Sequence, residues 1–179
     1  MGTPASQIWL STSAVMKVTR PSYQDCLYVC RHLRTQDRAE VLATHWSGDP
    51  VDLAHPIAFS REPLSWCLHG ADDEPVCLLG ANQLWPNFWA PWAMATPRFA
   101  EIGKAATRFV KRTMIPAMVD LGFQRAECRT LDSNTVAAQW LERLGAIRES
   151  ENPRVGRNGQ TFHTYVFFPE NCHEVRTRR

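Results

Sequence analysis

The order of periodic segments along this chain predicts a single mixed α/β domain. Three observations carry that prediction. Short runs that alternate in sidedness precede and follow helical stretches. Apolar residues recur at helical spacing from Phe99 to Met114. Residues 131–146 read as a strand end, a capped helix and a glycine stop.

The first strand is expected over residues 14–19, where apolar and polar positions alternate. Ser22 is a plausible cap for a helix over residues 21–33, and Thr35 for a second over residues 35–45. Ser47-Gly-Asp-Pro50 forms a turn, and a shorter helix over residues 51–60 is interrupted by Pro56. Residues 65–69 and 76–80 read as two strands joined by the acidic turn of residues 71–75. A fourth strand, residues 91–95, follows an aromatic-rich connection. Thr96-Pro97 then starts a long helix whose apolar face is Phe99, Ile102, Ala106, Phe109, Val110 and Met114. Pro116 must bend it, and Leu121-Gly-Phe123 ends it. A strand over residues 125–130 leads into the helix capped at Asn134, with Val136, Trp140, Leu141 and Leu144 on one face and Gly145 as the left-handed stop. Residues 147–150 and 161–168 close the chain as a long hairpin. The expected division is a leader at 1–13, one domain at 14–168 and a basic tail at 169–179.

At 179 residues with 44% hydrophobic content the chain can bury a proper core. A net charge of +2 is too small to imply nucleic-acid binding, so no nucleic-acid partner is expected. No positive region followed by an apolar run opens the chain, so secretion by signal peptide is not expected, and no segment has the apolar length to span a bilayer. Cys26 and Cys30 lie four apart on a probable helix and share a face as core residues. With no CxxC pair, reduced thiols are expected and a metal is not.

The run Asn134, Ala137, Glu142-Arg143 and Leu144-Gly145 resembles the second signature of the GNAT (Gcn5-related) acyltransferases. That signature reads Asn-x-x-Ala-x-x-x-Tyr-x-x-x-Gly-Phe. The resemblance implies a sheet that splays between its fourth and fifth strands, with the pantetheine arm of acetyl-CoA lying in the gap against the fourth strand. It also implies a pyrophosphate at the start of the following helix, where free N–H groups and the helix dipole favour an anion. The cofactor-binding residues it implies here are Met94, Ala95 and Thr96 at the end of the fourth strand, Gly103, Lys104 and Ala105 in the phosphate loop, and Asn134. The phosphate loop of the family, Arg/Gln-x-x-Gly-x-Gly/Ala, meets Ala100-Glu-Ile-Gly103-Lys-Ala105 in this chain, so its first position departs. Gly103 falls well inside a helix that starts near Pro97, and its other reading is close helix–sheet packing. Arg98, Lys104 or Arg108 are the cations that could compensate.

The tyrosine that commonly protonates the departing thiolate is replaced by Leu141, and the closing aromatic by Ala146. Glu127 or His69, both on expected strands, are the candidates for a catalytic base; each can also be an ordinary polar group. Pro91-Trp92 with Thr96, Trp140-Leu-Glu-Arg-Leu-Gly145, and Gly156, Gly159 and Phe162 together are most similar to a GNAT-like group in T7-like short-tailed bacteriophages, which includes a small internal virion protein. This implies a virion-associated protein with a structural or interaction role and a degenerate acetyl-CoA site, in the virion or host cytoplasm. An active acetyl-CoA-dependent N-acetyltransferase is the alternative. Other virion proteins are the implied partners, through Trp85, Phe88, Trp89 and Trp92. Those rings can equally cap the sheet end and fill its core.

Overall fold

The computed structural model describes residues 16–60 and 63–172. Both the expected leader and most of the basic tail lie outside them. Strand β1 (Lys17–Thr19) leads into helices α1 (Tyr23–Arg31) and α2 (Thr35–Thr44). A 3-10 turn (Pro50–Leu53) and α3 (Ala54–Ala58) precede the strands β2 (Leu64–His69), β3 (Pro75–Trp85) and β4 (Phe88–Ala95). Helix α4 (Phe99–Phe109) runs through a π-helical turn (Val110–Met114) into α5 (Ile115–Asp120). Strand β5 (Arg125–Leu131), α6 (Thr135–Leu144), β6 (Ile147–Asn152), β7 (Phe162–Phe167) and α7 (Pro169–Cys172) complete it. One seven-stranded sheet has the order β1-β2-β3-β4-β5-β7-β6. All pairs are antiparallel except β4 with β5.

Local chemistry accounts for most element ends. Ser22 caps α1 in a reciprocal box, accepting from the Asp25 N–H while Asp25 accepts from the Ser22 N–H. Asn134 accepts from the Ala137 N–H at 3.3 Å, and Gly145 stops α6 at φ +102°. Thr35 is not a cap: Arg34 holds that position of α2 and makes no side-chain cap bond. Thr96 does not cap α4 directly either, because the helix opens three residues later at Phe99; its hydroxyl accepts from the Arg98 N–H at 3.3 Å. Pro116 has no N–H and its ring crowds the preceding turn, and the helix accommodates it through the wide π-helical turn just ahead. Val136 is exposed rather than part of the inward face of α6, which Trp140, Leu141 and Leu144 form.

The aromatic-rich segment is not an irregular connection. Strands β3 and β4 pair along their length around the two-residue turn at Pro86 and Asn87, the latter at φ +67°, with one register shift between Gln83 and Trp85. Pro91 interrupts nothing, because it faces away from β3 and its missing N–H is not needed by that ladder. Trp89 is buried, Trp92 lies over Gly80, and Trp85 stacks on Phe88 at 4.1 Å between ring centres. A Cβ at Gly80 would meet the Leu64 carbonyl oxygen at 2.5 Å and the Trp92 ring at 2.8 Å. Only glycine fits between that ring and strand β2.

Side chains alternate across the sheet and build two cores. Leu68, Cys77, Leu79, Trp89 and Ala126 pack under α4, the π-helical turn and α5. Cys67, Leu78 and Met94 pack under α1 and α3 on the opposite face, with Cys26 and Cys30 both buried there as their spacing predicts. Among the described residues no helix is long and apolar enough to cross a membrane.

Candidate active site

Strands β4 and β5 pair only at Phe88 with Arg125 and Trp89 with Ala126. Beyond those two rungs they part, and a cavity of about 540 Å³ occupies the gap. That volume falls within the range of small-molecule sites. By strand alternation, Pro91, Ala93 and Ala95 turn their backbone away from β3 and toward this gap. Pro91 has no N–H to offer. Both backbone groups of Ala95 are taken by α2 and the residue before it: its N–H donates to Asp37 Oδ2 at 2.8 Å, and its carbonyl accepts from the Arg34 N–H at 2.9 Å. Ala93 is left to pair with anything that lies in the gap as a strand would.

The wall on the α2 side is polar. Arg34 Nε lies 2.8 Å from Asp37 Oδ1, and the Arg34 guanidinium sits 5.2 Å from the centre of the Phe99 ring at the start of α4. Glu40 is the most constrained group. Its Oε2 accepts from the Thr130 hydroxyl at 2.6 Å, the Leu131 N–H at 2.8 Å and the Asn134 amide at 3.0 Å. Oε1 has no such partner among the described residues, and Glu40 lines the cavity. Burial pushes the Glu40 carboxyl above its ordinary value, with the three donors only partly offsetting it.

The expected site residues divide clearly. Glu127 faces the cavity, paired with Arg125 at 3.0 Å and with Arg129 at 3.8 Å. His69 does not: β3 separates its strand from β4. Both of its ring nitrogens are engaged, Nδ1 donating to the Asp73 carbonyl at 2.9 Å and Nε2 lying 2.9 Å from the Thr19 hydroxyl. Met94 lines the gap, while Thr96 is buried with its N–H donating to the Val76 carbonyl. Asn134 is buried beside the cavity and acts on it through Glu40.

Gly103, Lys104 and Ala105 sit inside α4 and away from the cavity lining. Helix bonding therefore engages the Gly103 N–H. Close packing does not explain this glycine either, since a Cβ there would meet only Phe99, at 3.8 Å. At the helix start, the N–H groups of Arg98, Phe99 and Glu101 already donate within the turn. Arg98 itself is held by Asp72 and Glu101, each at 2.8 Å. That pairing neutralises the acid nearest the expected phosphate position. Leu141, in the place of the signature tyrosine, lines the cavity beside Trp140, whose indole N–H donates to the Thr107 hydroxyl at 2.9 Å.

Outside the gap, Asp25, Cys67 and His69 bring potential ligand atoms within 4.8 Å of one another. Each is already committed. Asp25 accepts from Ser22, the imidazole is bonded on both sides, and burial drives the Cys67 thiol far above its ordinary value.

Sequence reasoning missed Arg34, Asp37 and Glu40. Their three-residue spacing was visible and marks one helix face. Nothing local shows that this face turns toward a cavity.

A seven-stranded mixed sheet in this order, parted between a parallel fourth and fifth strand, is the fold of the GNAT acetyltransferases. No protein-family model and no curated protein matches the sequence. Solved structures do match in fold. A crystal structure assigned as an acetyltransferase superposes with a TM-score of 0.71 at 14% identity, covering 96% of this chain and 94% of that one. A GNAT-family acetyltransferase from Bacillus anthracis gives 0.66 at 12% identity, covering 87% and 95%. The yncA protein of Salmonella typhimurium, solved with its cofactor acetyl-CoA, gives 0.64 at 13% identity, covering 86% and 94%. The chain has the GNAT fold.

Proposed function

We propose that the protein is an acyltransferase that moves an acyl group from a pantetheine thioester to an amine, with Glu40 as the base. The observation that carries this reading is a half-buried carboxylate of raised pKa in the wall of the gap, with one oxygen that meets no donor among the described residues. The parted strands and the backbone of Ala93 suit a thioester arm; the donors already used at the start of α4 do not form a diphosphate cradle. Acetyl-CoA, present in a neighbour of the same fold, is the first donor to test.

The donor supplies an activated carbonyl carbon. The acceptor nitrogen bonds to that carbon as the carbon–sulfur bond breaks. Glu40 Oε1 takes the proton the nitrogen must lose. Glu127 adds a second carboxylate on the same side, already held by Arg125 and Arg129. Leu141 carries no proton, so the thiolate is protonated by solvent.

Calorimetry with acetyl-CoA, followed by turnover assays on primary amines, tests the reading. Micromolar binding with turnover that falls in Glu40→Gln supports it. Absence of any binding removes it.

A second reading keeps the fold and replaces catalysis with docking in a bacteriophage virion. It is favoured by Leu84 and Trp85, which stand exposed at 54% and 56% on the tip of the β3–β4 hairpin, together with the occupied backbone of Ala95. Trp89 takes no part in such a surface because it is buried. Mass spectrometry of purified virions decides this reading, and absence of the protein there ends it.

A further inference from the structure

We infer that the acyl group accepted here is a medium-length alkyl chain, housed in the apolar half of the gap cavity, rather than acetyl. The inference rests on the thioester reading above and names its donor class.

The two halves of the cavity differ in chemistry. The α2 side carries Arg34, Asp37, Glu40, Glu127 and Arg129. The opposite side is lined by Val110, Met114, Ile115, Met118, Leu144 and Phe167, none of which offers a polar side-chain atom. All six are buried, so this half of the space lies behind the sheet and under the helices, not on the outer surface. An acyl acceptor with polar atoms belongs on the first side. Beside those six, the second side adds the weakly hydrogen-bonding thiols of Cys128 and Cys172, and an unpaired buried polar group is strongly disfavoured there.

Protein interiors pack as densely as organic crystals, and side chains around an apolar void lose dispersion contacts they would otherwise make. A pocket for a single methyl would let these six side chains meet behind it. They instead line part of the 540 Å³ space. The π-helical turn is where that lining is set: it carries Val110 and Met114 and hands over to Ile115 directly before Pro116. Wide turns of this kind recur at functional sites. Met114 and Met118 are unbranched and polarizable, which suits a wall that must follow a flexible chain. An alkyl chain restores the missing contacts and asks for no hydrogen bond.

The test is calorimetry on the full chain with CoA, acetyl-CoA and octanoyl-CoA, the last below its micellar concentration. Burying two methylenes changes affinity by roughly tenfold, so octanoyl-CoA is expected to bind at least tenfold more tightly than acetyl-CoA. Met118→Trp, which fills the apolar half, is expected to abolish that preference and leave CoA affinity unchanged. Should the variant fail to fold by circular dichroism, the preference of the unmodified protein decides alone. Equal or weaker binding of octanoyl-CoA than of acetyl-CoA overturns the chain-length inference and leaves the thioester reading standing. Failure of all three ligands to bind overturns the thioester reading, and the inference with it.

Discussion

The Asn134 side chain performs two tasks at once: its oxygen caps α6 at the Ala137 N–H, and its amide nitrogen donates to Glu40 Oε2 at 3.0 Å. One residue thereby joins the helix that follows β5 to the helix that walls the gap. Asn134 thus orients the carboxylate proposed as the base. Three expected outcomes concern this pair, and two more concern the packing around the gap.

Glu40→Gln keeps an oxygen for the Thr130, Leu131 and Asn134 donors but cannot take a proton. Turnover is expected to fall by about 10²- to 10⁴-fold with little change in donor affinity. In the unaltered protein, kcat/KM should rise with pH through a pKa above the ordinary 4.5 of a glutamate, since burial favours its protonated form. Loss of that acidic limb in the variant is the signature to look for; an unchanged profile assigns the proton transfer elsewhere.

The same shift affects stability with a sign opposite to the usual carboxylate. Because the folded state raises the Glu40 pKa, its favourable contribution is complete below the unfolded value and is lost as pH rises through the folded one. Urea midpoints of the native protein should therefore fall relative to those of Glu40→Gln between acidic and neutral pH. A difference that stays constant across this window would contradict the burial argument.

Asn134→Ala removes a cap and a donor to a half-buried carboxylate together. A loss of about 1–3 kcal/mol is expected, with a further rise in the Glu40 pKa seen as a shift of the activity limb to higher pH. Denaturant unfolding and the rate profile read the two effects separately.

Gly80→Ala places a methyl against the Leu64 carbonyl and the Trp92 ring. Overpacking of this kind costs about 1–3 kcal/mol. Thermal unfolding should show it as a clear fall in Tm, whereas Gly103→Ala, with space around it, should leave Tm unchanged or raise it.

Burial pushes the Cys128 thiol up to about 12 and that of Cys172 up to about 11. Both line the gap cavity. Iodoacetamide at mildly alkaline pH should label neither at an appreciable rate in the native protein and both on unfolding. Rapid native labelling of Cys128 would show that the gap opens far more than its geometry implies.

Much of this architecture was legible in residues close together in the chain. Ser22 with Asp25, Asn134 with Ala137, and Gly145 each act within about one helical turn, so their roles follow from local backbone chemistry. The parting of the sheet beside Met94 was implied by the resemblance of the α6 segment, not by local pattern, and it is where the cavity lies. The β3–β4 hairpin was harder, because Pro91 argues against a strand until one knows that its missing N–H faces the gap and not the neighbouring strand.

Tertiary structure alone decided which polar residues meet. Glu127 and His69 stood alike as strand residues; sheet order sets the first in the gap and leaves the second beyond β3, bonded on both ring nitrogens. Glu40 approaches Asn134 across 94 positions, and Asp37 reaches the Ala95 N–H across 58. Periodicity tells which residues share a face of α2. It carries no information on what that face meets, since contacts so distant depend on how β4, β5 and α2 pack after each has formed.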